Sequence, residues 1–167
     1  MNQKTVIMSG SVLLVGMLIS IPTYDTTVVF RKDHKLIEYI SKEYKIDVGK
    51  INDLVLKVEK LTSNNFPSKI DVLSIIAIES RFKTNALNKS GAKGWMQIKY
   101  KLVHSEHENI LAGIELLTNY NNKLKSERAT IEAYNVGITN YKNGIRNPDY
   151  YNKYIKTKKE LSKYESC

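Results

Sequence analysis

From Lys35 to Tyr164 the apolar residues recur at three- and four-residue intervals, and no stretch alternates apolar with polar residues over the length of a strand. Leu36, Ile37, Ile40 and Tyr44 make one stripe. Ile51, Leu54, Val55, Val58 and Leu61 make a second, and Ile110, Ile114, Leu117 and Tyr120 a third. This spacing puts side chains on one face of a helix, so the chain can bury them only by packing helix against helix. The predicted fold is mostly α. Punctuation residues divide it. The first two amphipathic helices break near Asp47 to Gly49. Asn64, Asn65 and Pro67 form a turn, and Ser68 with Asp71 resembles an N-cap with its third-position acid, starting a helix over about 68–81. Leu87 to Gly94 is a loop. Helices follow over about 106–124 and 127–136, the latter stopped by Gly137. After a turn at 144–147, Asn147 as cap and Pro148 at the first position open a last helix over 150–164, whose outer face is rich in lysine.

Ahead of this helical body, Val6 to Ile21 carries no charge and approaches the ~20 apolar residues that span a bilayer. It reads as a membrane segment, either a cleaved secretory signal or a retained anchor. The anchor is preferred because no small-x-small cleavage site is evident near Ile21 to Thr26. Its serines and glycines make it only moderately hydrophobic, which resembles the releasable signal anchors of some phage lysis enzymes. The chain of 167 residues thus divides into a membrane segment (1–24), a helical extension (25–65) and a compact domain (66–167). Its one cysteine, Cys167, excludes an intrachain disulfide. A formal charge of +9 favours a polyanionic partner or a solvated lysine surface. No nucleic-acid partner is expected, since there is neither a dense arginine cluster nor a recognisable reading helix.

Glu79 is the residue that most needs an explanation. It follows Ile75 and Ile76 by four and three positions and so shares their face. It either turns outward into water at the end of its helix or is held against apolar neighbours. In the second case desolvation and the partially negative helix C-terminus both raise its pKa, which makes an acid that keeps its proton toward neutral pH. His104 and His107, flanked by Glu106 and Glu108, are solvated residues at a helix start rather than a metal site.

The stretch "IESRF…A…GAKGWMQI" resembles the first motif of the soluble lytic transglycosylase family through Glu79, Ser80, Phe82, Ala86, Gly91, Ala92, Gly94, Met96, Gln97 and Ile98. "ENILAGIELL", with Asn109, Ile110, Gly113 and Leu117, resembles that family's N-I-x-x-G helix. "EAYNVG", with Tyr134, Asn135 and Gly137, resembles its A-Y-N-x-G signature, and Pro148 followed by Tyr151 is similar to its closing element. Trp95 replaces the usual leucine, Asn88 stands where serine is common, and the segment between Ile98 and Asn109 is short and lacks the familiar proline.

The resemblance implies a lysozyme-like domain that cleaves the MurNAc to GlcNAc β-1,4 bond of peptidoglycan glycan strands without a cofactor, outside the cytoplasmic membrane to which the N-terminal segment would attach it. Glu79 would be both acid and base, closing a 1,6-anhydro ring with the sugar's own hydroxyl. The implied substrate-binding residues are Asn88, Gly91, Gly94, Met96, Gln97, Tyr134, Asn135 and Tyr151. Within this set Gly91 and Gly94 would let backbone approach the sugar, Gln97 would offer an amide, Met96 would wall the cleft and Tyr134 would aim its hydroxyl at Glu79. Asn135 would hold its helix end. Trp95 is as well suited to the core as to stacking on a sugar. A second carboxylate, which most glycosidases need, is not evident; Glu132, two positions before Tyr134, is expected to face the surface. A muramidase, or a wall-binding module that keeps the fold without the chemistry, are the alternatives.

Overall fold

The computed structural model describes residues 26–88, 91–99 and 105–165, which hold seven helices: α1 (Thr26–Tyr44), α2 (Val48–Leu61), α3 (Lys69–Glu79), α4 (Glu106–Leu124), α5 (Glu127–Val136), α6 (Ile138–Lys142) and α7 (Pro148–Ser162). The apolar run Val6 to Ile21, His104 and Cys167 lie outside the described residues. Among the described residues no helix is long and apolar enough to cross a membrane.

α3 lies at the centre, because every residue from Lys69 to Ala77 is buried and a helix apolar on all sides has no face to give to water. Its few polar groups are matched. Ser74 Oγ donates to the Ile70 carbonyl at 2.6 Å, Lys69 meets Asp33 of α1, and Asp71 meets α7. Ser68 and Asp71 close the expected capping box. The helix ends two residues earlier than its spacing predicts, at Glu79, because Arg81 and Phe82 both turn left-handed, with φ of 51° and 58°. Two consecutive non-glycine residues in that region are strained. Phe82 is held there by burial and by an edge contact with the ring of Tyr44 at 4.7 Å.

α1 and α2 bury Leu36, Ile37, Ile40, Ile51, Leu54, Val55 and Val58 in the same core as Ile75, Ile76, Met96 and Leu117. α7 runs back along α3 and contributes Tyr150, Tyr154 and Leu161. Asp47 caps α2, Ser105 caps α4 through a second capping box, and Gly137 closes α5 with φ of 85°. Between α3 and α4 the chain makes two isolated antiparallel bridges, Leu87 with Lys93 and Lys93 with Ile98, which fold the loop back on itself.

Candidate active site

Glu79 ends α3 at the wall of a cleft of about 370 Å³. The loop lines it with Asn88, Ala92, Gln97, Ile98 and Lys99, α4 with Leu116 and Tyr120, and the end of α5 with Tyr134, Asn135, Val136 and Gly137. One Glu79 carboxylate oxygen, Oε1, accepts a hydrogen bond from the Tyr150 hydroxyl at 2.5 Å. Burial pushes the Glu79 carboxyl above its ordinary value, and the Tyr150 bond, which favours the ionised form, lowers it by less. The phenols of Tyr134 and Tyr150 are pushed well above the ordinary tyrosine value, first by burial and next by the negative charge of Glu79. Both therefore stay protonated donors.

The tyrosine that serves the acid differs from the expected one. Tyr134 does not aim its proton at Glu79; its hydroxyl donates to the Met96 carbonyl at 2.7 Å and so ties α5 to the loop. Tyr151, expected at the substrate, lies with its ring 5.3 Å from the Arg128 guanidinium and 6.1 Å from Tyr154, and it does not line the cleft. Its neighbour Tyr150 makes the contact instead. Spacing carries the signal that separates the two: Tyr150, Tyr154 and Leu161 fall on one helical face, and Tyr151 is about 100° away from it.

Three loop residues also have other reasons for being there. Gly94, at φ of 73°, does not line the cleft and is required by packing, because the Asn109 side chain fills the place of its Cβ, about 2.8 Å away. That asparagine accepts from the Met96 N–H at 2.9 Å and donates to the Lys93 carbonyl at 2.9 Å. Met96 is wholly buried rather than a cleft wall, since its thioether occupies the place where a side chain on Gly113 would stand. The G-x-M of the loop and the N-I-x-x-G of α4 are thus two halves of one interlock. Gly91, at φ of 81°, turns the loop in the open and needs glycine for its backbone alone.

Gln97, Asn88 and Asn135 do line the cleft. Gln97 sits at φ of 51°, and its amide nitrogen donates to the carbonyls of Ala86 at 2.9 Å and Gly94 at 3.0 Å. Both of its N–H groups are engaged, so what it presents to a ligand is an acceptor oxygen. Asn88 Oδ1 accepts from the Ala92 N–H, and Asn135 Oδ1 accepts from Asn147, the cap of α7, at 2.7 Å. Trp95 is core, 3 % exposed. Glu132 is not at the surface: it is 2 % exposed, and Arg128 at 2.9 Å, with Arg146 at 4.0 Å, holds it outside the cleft lining.

Residues 60–157 match the family described as Transglycosylase SLT domain. The chain belongs to that family. No curated protein shows a match to the chain. The match contains every motif named above, from Glu79 through Tyr151, and begins inside α2, so α1 and most of α2 precede the part the transglycosylase family shares. Enzymes of this kind cut the glycosidic bonds of peptidoglycan, which fits a cleft holding one desolvated carboxyl among amides and phenols.

Proposed function

We propose that this transglycosylase domain cleaves the MurNAc to GlcNAc β-1,4 bond with formation of a 1,6-anhydro product. The observation that carries the reading is the state of Glu79, a carboxyl whose burial favours the protonated form and whose Oε1 is taken by Tyr150. Its other oxygen is left to carry the acid proton into the cleft. In this reading that proton goes to the bridging glycosidic oxygen as the bond to the anomeric carbon breaks, while the MurNAc acetamido oxygen bonds to that carbon. The Glu79 carboxylate then takes the proton of the sugar's 6-hydroxyl, whose oxygen displaces the acetamido group. The ring closes, Glu79 is again protonated, and no water is consumed.

A two-carboxylate hydrolase is less well supported. Among the described residues Glu79 is the one acid lining the cleft, and the intervening segments 89–90 and 100–104 contain no Asp or Glu. The reaction belongs outside the cytoplasmic membrane, where its substrate lies. Val6 to Ile21 is the segment that would hold the chain there, and fractionation of cells with and without it tests that part.

The decisive test is mass spectrometry of the muropeptides that the full chain and its Glu79→Gln variant release from purified peptidoglycan. The parent is expected to release products lighter by one water than their reducing-end counterparts, and the variant to release none. Reducing-end products from the parent would replace this reading with a muramidase.

A further inference from the structure

Of the residues lining the cleft, one carries a carboxyl group, Glu79, and one an amino group, Lys99. The remainder are neutral amides, phenols and apolar groups. Lys99 is exposed, and among the described residues no carboxylate pairs with it. The chain continues as Tyr100, Lys101, Leu102, Val103 and His104, so no acid follows it before Glu106. It does not act through Glu79 either: the influences on that carboxyl are its burial and Tyr150. A cation is therefore presented to the cleft, in the same opening as the acid, without a carboxylate partner among the described residues.

The sugars that this cleft would hold on the reading above are N-acetylated and neutral. Negative charge enters a glycan strand and its peptides through carboxylates borne on the muramyl unit, and one muramyl unit always flanks the bond that Glu79 would protonate. Each bears a lactyl ether whose carboxyl is either free or joined to a peptide with carboxylates of its own. We propose that Lys99 recognises this anionic side of the muramyl unit and makes the enzyme select strands by the carboxylate carried beside the cut bond. The inference rests on the peptidoglycan reading and adds to it the residue that discriminates among strands.

The experiment uses the full chain with Lys99, Lys99→Met and Lys99→Arg. Each is given peptide-bearing strands, strands stripped of peptide so that the lactyl carboxylates are bare, and both kinds after methyl esterification. The readout is the ratio of kcat/KM on charged strands to that on their esters at low salt. For an exposed ion pair the parent ratio is expected near fivefold, to be kept by Lys99→Arg and to fall to about one in Lys99→Met. It should also shrink as salt is raised. Whichever charged strand shows the Lys99-dependent ratio identifies the source, lactyl or peptide. A parent ratio of one on both strands overturns the proposal, as does an undiminished ratio in Lys99→Met. Should the parent cleave nothing, the enzymatic reading fails by itself. Lys99 is then decided by the same ratio measured as strand binding in the Glu79→Gln background, with and without Lys99→Met.

Discussion

Glu79 and Tyr150 set each other's chemistry, and two outcomes follow at the level of single side chains. Because burial raises the Glu79 carboxyl above its ordinary 4.5, holding it ionised costs the folded state stability once the pH exceeds that raised value. Glu79→Gln should therefore raise Tm at neutral pH, and the gain should shrink as the pH falls through the raised value toward 4.5 and be gone below it, which thermal melts across pH will show. Tyr150→Phe removes the bond that favours the carboxylate, so the alkaline limb of the kcat/KM profile should move to higher pH while kcat falls about tenfold. Tyr134→Phe should leave that limb near its place and cost about 1 kcal/mol of stability through the Met96 carbonyl it deserts, as measured by denaturant unfolding. Glu79 was legible in the sequence because apolar spacing and a helix end both bear on the same residue. Tyr150 is less legible, because the family resemblance falls on Tyr151 one place further, although the 150, 154, 161 face separates the two. The packing roles of Gly94 and Met96 are not legible, because the partner that explains them, Asn109 with Gly113, lies on a different element and no local pattern reveals which two motifs interlock.

α3 and α7 are joined at two levels, and the lower one positions the upper. At the start of α3, Asp71 accepts from Tyr154 at 2.6 Å and pairs with Lys158 at 2.7 Å, while Lys158 also reaches Glu127 of α5 at 2.9 Å. Tyr150 stands one turn before Tyr154, so this clamp fixes where its hydroxyl meets the end of α3. Burial alone would raise the Asp71 carboxyl. The bonds from Lys158, Tyr154 and the Ser68 N–H together outweigh it and hold the group below its ordinary 3.8. Asp71→Asn should cost about 2 kcal/mol at neutral pH. That deficit should close as the pH falls below 3.8 through the depressed value, where the parent acid becomes protonated too. On the loop side, Gly113→Ala drives a methyl into Met96 and should cost about 1–3 kcal/mol, read from the same unfolding curves. The bounds of α4 and α5 were legible because Ser105, Ser126 and Gly137 mark them chemically. α6 is not legible, its five residues being too few to display a period.

At the scale of the whole molecule, the residues ahead of the family match are part of the core that carries the site. Lys69 binds Asp33 of α1 at 2.9 Å, Glu59 of α2 at 3.0 Å and Glu165 near the other end at 3.6 Å, and Tyr39 stacks on Tyr164 at 4.1 Å. A fragment limited to residues 60–157 lacks α1, most of α2, Lys158 and Glu165. It is expected to show no cooperative thermal transition, as circular dichroism would record. The stripes of α1 and α2 were readable as amphipathic, but periodicity states only that a face is buried and never against what. The Lys69 junction has a consequence in time. Translation makes α7 and Glu165 after the helices they join, and until they arrive Glu79 lacks Tyr150, Asp71 lacks Tyr154 and Lys158, and Lys69 lacks its third carboxylate. A nascent chain that has not yet reached α7 therefore holds the Glu79 carboxyl without its tyrosine partner.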